Sequence, residues 1–257
     1  DLGHNEVITP NSIPTKEETI PANTEKYCRI RVKFAKRKPM HLISHLDLVR
    51  LFERSLRRSQ LPVSYSGGFH PLPRFQIALA LPLGVEGLGE WIDIDFYEEV
   101  SPLTMQTKLQ ACLPKGIELK EVDSIPIEKT SLSQQLLEAI WHFNLNRTSK
   151  KITTVKNWDL GIKKIINSNE LIWKDTDKKG RYRERDMRPE LKNLELIIPK
   201  KTNLGGNISI VLNSIISSNG QSIKPSHIKH WLSEYLGENL ELEKIQRSDL
   251  ILKSAKI

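Results

Sequence analysis

The segment CRIRVKFAKR sets Ile30, Val32 and Phe34 against Arg29, Arg31 and Lys33, a two-residue alternation that predicts a half-buried strand with its basic residues on one face. In SHLDLVRLFERSLRRSQ the period changes. Leu46, Val49, Phe52 and Leu56 form an apolar stripe, and Arg50, Arg54, Arg57 and Arg58 fall on neighbouring turns of the other side, which predicts an amphipathic helix with an arginine ridge. Pro62 ends that helix, and the loop SYSGGFHPLPR follows. FQIALALPLG and WIDIDFYEE then predict two strands separated by a turn around Gly87 and Gly89. Ser101 with Pro102 starts a second helix through Leu113, and IELKEVDSI closes the unit as a fourth strand.

The rest of the chain repeats this plan with longer insertions. AIWHFNL places Trp141, Phe143 and Leu145 on one strand face, and Val155, Trp158, Ile162 and Ile165 recur at helical spacing between Thr154 and Asn167. LIWKDTDKKGRYRERDM reads as a hairpin turning at Asp177 to Gly180. LELIIP and ISIVLNSII follow as strands, KPSHIKHWLSEYLG as a helix with Pro225 near its first turn, and LELEKI as a last strand. Strand, helix, strand, strand, helix, strand occurs twice, so the expected fold is α+β: tandem ferredoxin-like halves, the second with inserted strands. The halves are expected at residues 27–128 and 133–257, meeting near Ile127 to Ser133, where Pro126 and a Ser/Thr-rich stretch break both periods. Residues 1–26, rich in Thr, Pro, Asn and Glu with neither period, read as a linker from a longer parent protein.

Charge changes the picture more than composition does. The 257 residues carry a formal charge of +8, which favours an anionic partner such as nucleic acid. Cys28 and Cys112 have no paired spacing, which excludes a disulfide framework and a zinc site and fits a reducing, cytoplasmic compartment. The longest apolar run, IALALPLGV, is broken by Pro82 and falls well short of the ~20 residues of a membrane helix. A soluble protein without a membrane partner is expected.

Between Arg29 and Arg74 stand eleven Lys or Arg residues against Asp47 and Glu53 alone. Beside them, Gly67, Gly68, Pro71 and Pro73 break helix and strand alike, so the loop is shaped: a tight corner or a binding surface. As a binding surface it suits RNA. Glycine lets main-chain N–H groups approach phosphate oxygens, Arg50, Arg54, Arg57, Arg58 and Arg74 offer two-pronged donors, and Tyr65, Phe69 and His70 could stack or contact an unpaired base. The competing reading of the ridge is a solvated helix face with Glu53 and Arg57 as an i,i+4 pair. Ser44 and Asp47 form the S-x-x-D pattern of a helix cap. His45, in the first helical turn, is the candidate proton-transfer group if the chain has one, against a packed, hydrogen-bonded histidine. His41, His45 and His70 lack ligand spacing, so no metal is expected. In RYRERDMRP, Arg183 and Arg185 share a strand face with Arg181 and, with Arg188, extend the basic surface; the alternative pairs Asp186 with Arg188 at the Pro189 turn.

SHLDLVR, FERSLRR, YSGGFHPLPR, LALPLGVE and the later RERDMRP resemble the radical-SAM-linked domain of unknown function found behind cobalamin-binding radical SAM proteins. The leading DLGHN is similar to the tail of that family's catalytic portion, and His70 departs from its pattern, in which asparagine is more usual. The resemblance implies a C-terminal module of a cytoplasmic radical SAM polypeptide, whose 4Fe-4S cluster and S-adenosylmethionine would sit upstream, with no cofactor in this chain. Three functions follow as expectations: a non-catalytic RNA-binding or substrate-presenting module serving an enzyme of tRNA or rRNA; a metal-independent endoribonuclease of the CRISPR-processing type; or a protein-interaction domain that docks the radical SAM core.

Overall fold

The opening alternation becomes β1, Cys28–Lys36, with Ile30, Val32 and Phe34 wholly buried. The computed structural model describes residues 25–127, 130–148, 155–176, 180–197 and 207–253. Residues 1–24 of the expected linker, 154, 177–179 of the hairpin turn and the insertion at 200–206 lie outside them. After β1 come α1 (His45–Arg58), β2 (Phe75–Ile77), β3 (Glu86–Phe96), α2 (Pro102–Cys112) and β4 (Ile117–Ile125). The second half runs β5 (Leu136–Arg147), α3 (Val155–Asn167), β6 (Ile172–Thr176), β7 (Tyr182–Asp186), β8 (Leu191–Ile197), β9 (Asn207–Ile215), α4 (Pro225–Leu236) and β10 (Leu240–Leu252).

Local chemistry sets the helix ends. The Ser44 hydroxyl accepts the Asp47 N–H at 3.2 Å and donates to the Asp47 carboxylate at 2.7 Å, which holds that carboxyl below its usual range. The buried stripe of α1 is Leu48, Phe52 and Leu56 with Ser55, and Phe52 meets Phe34 edge-on at 5.2 Å between ring centroids. Leu46, expected on that stripe, faces solvent because it lies about 200° round the helix from Leu48.

The halves do not keep separate sheets. One eight-stranded sheet runs β4-β1-β3-β10-β5-β9-β8, with β2 also paired to β3, and β6 and β7 form their own two-stranded sheet. Every pairing is antiparallel except β3 with β10, a short parallel seam at Gln246↔Glu86 and Arg247↔Gly87. Within the first half the strands lie β4-β1-β3-β2, and within the second β10-β5-β9-β8, the same order apart from the inserted pair. Two hydrophobic clusters match: one under α1 and α2, the other around Trp141, Trp158 and Trp231.

Gly87 and Gly89, expected in a turn, lie inside β3 at this seam. A Cβ on Gly89 would come within 3.0 Å of the Ser248 carbonyl oxygen and 2.5 Å of Asp249 Oδ1, so glycine is what lets β10 approach. The expected strand FQIALALPLG is regular only through Ile77; beyond it the Leu79 and Ala80 carbonyls turn to accept the Arg247 guanidinium. Glu25 and Lys26, assigned to the linker, are tied to the first half, since Glu25 accepts the Ser64 hydroxyl and Lys26 pairs with Asp95 at 2.6 Å. Among the described residues, no helix is long and apolar enough to cross a membrane.

Candidate nucleic-acid interface

The loop between α1 and β2 is a small hairpin. Arg74 N–H donates to Ser64 O at 2.7 Å, Ser66 N–H to Leu72 O at 2.9 Å, and the Ser66 hydroxyl accepts the Leu72 N–H. Gly67 to Pro71 form its tip. Of the two tip glycines only Gly68 takes a positive φ, +104°, and a Cβ there would meet no atom within 4 Å. The tip needs glycine for its backbone angle and leaves the space around it open.

α1 braces this hairpin from below. Arg57 Nη2 donates to Pro71 O at 2.6 Å, its guanidinium lies 5.3 Å from the Tyr65 ring centre, and Arg74 Nε donates to Tyr65 O at 2.9 Å. Tyr65 is thereby buried, which raises its hydroxyl pKa against the opposing effect of Arg57, and it is no stacking platform. Phe69 is the opposite case, a fully exposed residue. Gly67, Gly68 and His70 are exposed beside it.

The arginine ridge divides by function. Arg57 serves the hairpin rather than Glu53, and Arg58 Nη2 donates to Cys112 O at 2.8 Å, closing the end of α2. Arg50 leans on Asp47 at 3.5 Å. Arg54 is exposed and makes no ion pair or hydrogen bond among the described residues. The basic face of β1 is neutralised by Asp93 and Asp95 of β3 and by Asp249 of β10. Arg31 grips Asp93 through two 2.8 Å bonds, Arg29 grips Asp95, and Lys33 reaches Asp249 at 3.1 Å. Lys36 is wholly buried, donating to Ile43 O at 2.8 Å, and burial lowers its pKa.

In the second half, Arg183 and Arg185 lie on β7, whose partner β6 docks on α4 through Trp173 and His227, ring centres 4.4 Å apart. Arg188 does not join that surface: its guanidinium donates to Ile166 O, Ser168 O and Leu191 O and caps the C-terminal end of α3. Asp186 does not pair with it through the side chain, as its Oδ1 accepts the backbone N–H groups of Leu171 and Arg188. His45 is half-buried at the start of α1, its Nδ1 shut from solvent without a hydrogen-bond partner. Among the described residues no group of His, Cys, Asp or Glu could hold a metal ion.

The family model for an uncharacterized protein conserved in bacteria, DUF2344, matches residues 29–245. The chain belongs to the DUF2344 family. Comparison with curated protein sequences gives no match. Among solved structures, this DUF2344 chain resembles one in a Cbf5-Nop10-Gar1 complex at 11% identity and a TM-score of 0.48, covering 90% of this chain and 51% of that one. It also resembles chains in an archaeal box H/ACA sRNP Nop10-Cbf5 complex (10% identity, TM-score 0.44, covering 90% and 50%) and in an H/ACA RNP bound to a substrate RNA containing 2'-deoxyuridine (10%, 0.43, covering 86% and 46%). The DUF2344 chain thus spans about half the length of those chains. One concavity escaped the sequence reading altogether: a cleft at the seam, lined by His142, Lys244 and Gln246 of the second half. Its only local signal, a lysine in left-handed backbone, is invisible without coordinates.

Proposed function

We propose that the chain binds single-stranded RNA at the Gly67–Pro71 tip and the exposed side of α1. The observation that carries this reading is Phe69, a benzyl ring held wholly in water on a hairpin whose base is braced by Arg57, Tyr65 and Arg74. An unpaired base stacks on such a ring whatever its identity, and Arg54, exposed on α1 one turn before Arg57, supplies a cation for the phosphate backbone. Anisotropy of a labelled, unstructured RNA titrated with the chain tests this; the expectation is salt-dependent binding weakened by Phe69→Ala. Wild-type and Phe69→Ala proteins that bind alike, or a wild type that does not bind at low salt, would reject it.

The same reading takes each half as a ferredoxin-like unit, supported by their shared strand order. It takes the chain as a non-catalytic module serving a cytoplasmic radical SAM enzyme of tRNA or rRNA, supported by the resemblance of SHLDLVR and YSGGFHPLPR. Purification of the native polypeptide with its bound RNA and any iron–sulfur chromophore tests that part separately.

A further inference from the structure

A cleft of about 620 Å³ opens where the halves meet, between Lys38, His41 and Glu86 of the first and β5, β9 and β10 of the second. That volume lies within the range of small-molecule sites. The ladder between β5 and β10 breaks here: Lys244 and Ile245 together oppose the single residue Phe143, and Lys244 takes φ 46°, disfavoured for a residue with a Cβ. The bulge puts Lys244 and Ile245 in the lining. Such bulges recur next to binding sites because they re-aim side chains.

The lining favours an anion that carries an apolar body. Its one carboxylate, Glu86, accepts Lys38 N–H at 3.2 Å and Gln246 Nε2 at 2.7 Å and lies in the field of Lys38 and His41, so it offsets part of the positive charge and leaves the lining cationic. The Lys38 and Lys244 ammonium groups make no ion pair among the described residues, and both imidazoles, His41 and His142, stand with them. His41 Nδ1 is shut from solvent without a partner. The same lining holds the aliphatic side chains of Ile197, Leu242 and Ile245. Asn144 Oδ1 accepts the Ser209 hydroxyl at 2.8 Å, which leaves the Asn144 amide to donate to a ligand.

We propose that this cleft binds a nucleoside 5′-monophosphate, its phosphate held by Lys38 and Lys244, its base against the aliphatic wall with Asn144 reading the base edge. The nucleotide is either free or one unit of a bound RNA strand; the second case deepens the RNA reading, and the first stands without it.

Calorimetric titration of the chain with AMP and UMP, with uridine and inorganic phosphate as controls, tests the proposal. Both nucleotides should bind, and each control should bind at least about tenfold more weakly. Lys244→Gly, which relieves the left-handed backbone while removing the charge, and Asn144→Ala should each weaken AMP or UMP binding about tenfold, with Lys108→Ala, an exposed lysine on α2, unchanged. Displacement of bound UMP by an unstructured RNA assigns the site to a nucleotide of the strand, and no displacement assigns it to a free nucleotide. No binding of AMP or UMP at millimolar concentration, with RNA still bound at the hairpin, overturns the cleft proposal and spares the RNA reading. Unchanged affinity in folded Lys244→Gly and Asn144→Ala also overturns it.

Discussion

Arg247 of β10 grips Glu90 of β3 with two prongs, Nε to Oε1 at 2.8 Å and Nη2 to Oε2 at 2.5 Å, with both side chains buried. The same guanidinium donates to Leu79 O and Ala80 O and lies 5.4 Å from the Trp141 ring centre, so one side chain joins the halves at their short parallel seam. Removing it leaves Glu90 buried without its hydrogen-bonding partner, with the field of the buried Lys36 alone against its charge. Arg247→Ala should lower the unfolding free energy by about 3–5 kcal/mol in urea titrations, and the double substitution Arg247→Met with Glu90→Leu should lose less, because the carboxylate goes with its partner and the buried Lys36 keeps its bond to Ile43 O. A single substitution that proves milder than the double one would contradict this account of the seam.

That seam is also where sequence reading stopped. The two- and 3.6-residue periods sit in neighbouring residues, so β1, β4 and α1 could be placed from local pattern. Nothing near Gly89 announces that the Ser248 carbonyl will press against it, and nothing near Arg31 announces Asp93, 62 residues on. Charge counted along the chain therefore overstated the basic surface: Arg29, Arg31 and Lys33 are matched by carboxylates across the sheet. The loop's shape was legible from Gly68 and its prolines, and the assignment of Tyr65 to the interior and Phe69 to water was not, because both are aromatic residues in one polar stretch. Arg188 misled for a similar reason: two of the carbonyls that hold it, Ile166 O and Ser168 O, lie at the end of α3, about twenty residues earlier.

His227 should make stability depend on pH. Its Nδ1 accepts the Lys224 N–H at 3.1 Å, its ring packs on Trp173 and Trp231, and burial, with Lys224, Arg185 and His230 against Asp175, lowers its pKa from 6.5 to about 4. The unfolded chain takes up this proton first as pH falls. Stability from this group is therefore full above pH 6.5 and declines toward pH 4, by roughly 3 kcal/mol at most. His227→Asn keeps an acceptor for Lys224 and cannot titrate, so in urea titrations across this range it should show a shallower decline than wild type. Parallel pH profiles for the two proteins would remove His227 as the cause.

The chain should not cut RNA by itself. His45 is half-buried with its Nδ1 closed to solvent and without a hydrogen-bond partner, so no third group orients its imidazole for proton transfer. Incubation of labelled RNA without metal should leave it intact in wild type and His45→Ala alike. Robust cleavage by wild type that disappears in folded His45→Ala would restore the nuclease reading.

The hairpin variants should separate the residues that touch RNA from those that hold the hairpin. Arg54 faces water without a partner among the described residues, so Arg54→Ala should weaken binding across sequences and lower the slope of log affinity against log salt by about 0.7, the share of one phosphate on a single strand. Phe69→Ala should cost about 1–3 kcal/mol and leave the slope unchanged, since stacking releases no counterion. Arg57→Ala removes the donor to Pro71 O and the contact with Tyr65, so its loss should come with greater protease sensitivity at the hairpin, which neither Arg54→Ala nor Phe69→Ala should show. Gly68→Ala meets no neighbouring atom, and its effect can arise only from φ +104°, a backbone penalty of about 1–2 kcal/mol that should also loosen the tip. Isotherms at several salt concentrations together with limited proteolysis measure all four, and if Phe69→Ala and Arg54→Ala bind RNA as wild type does, the hairpin is a structural corner and its exposed ring serves something other than RNA.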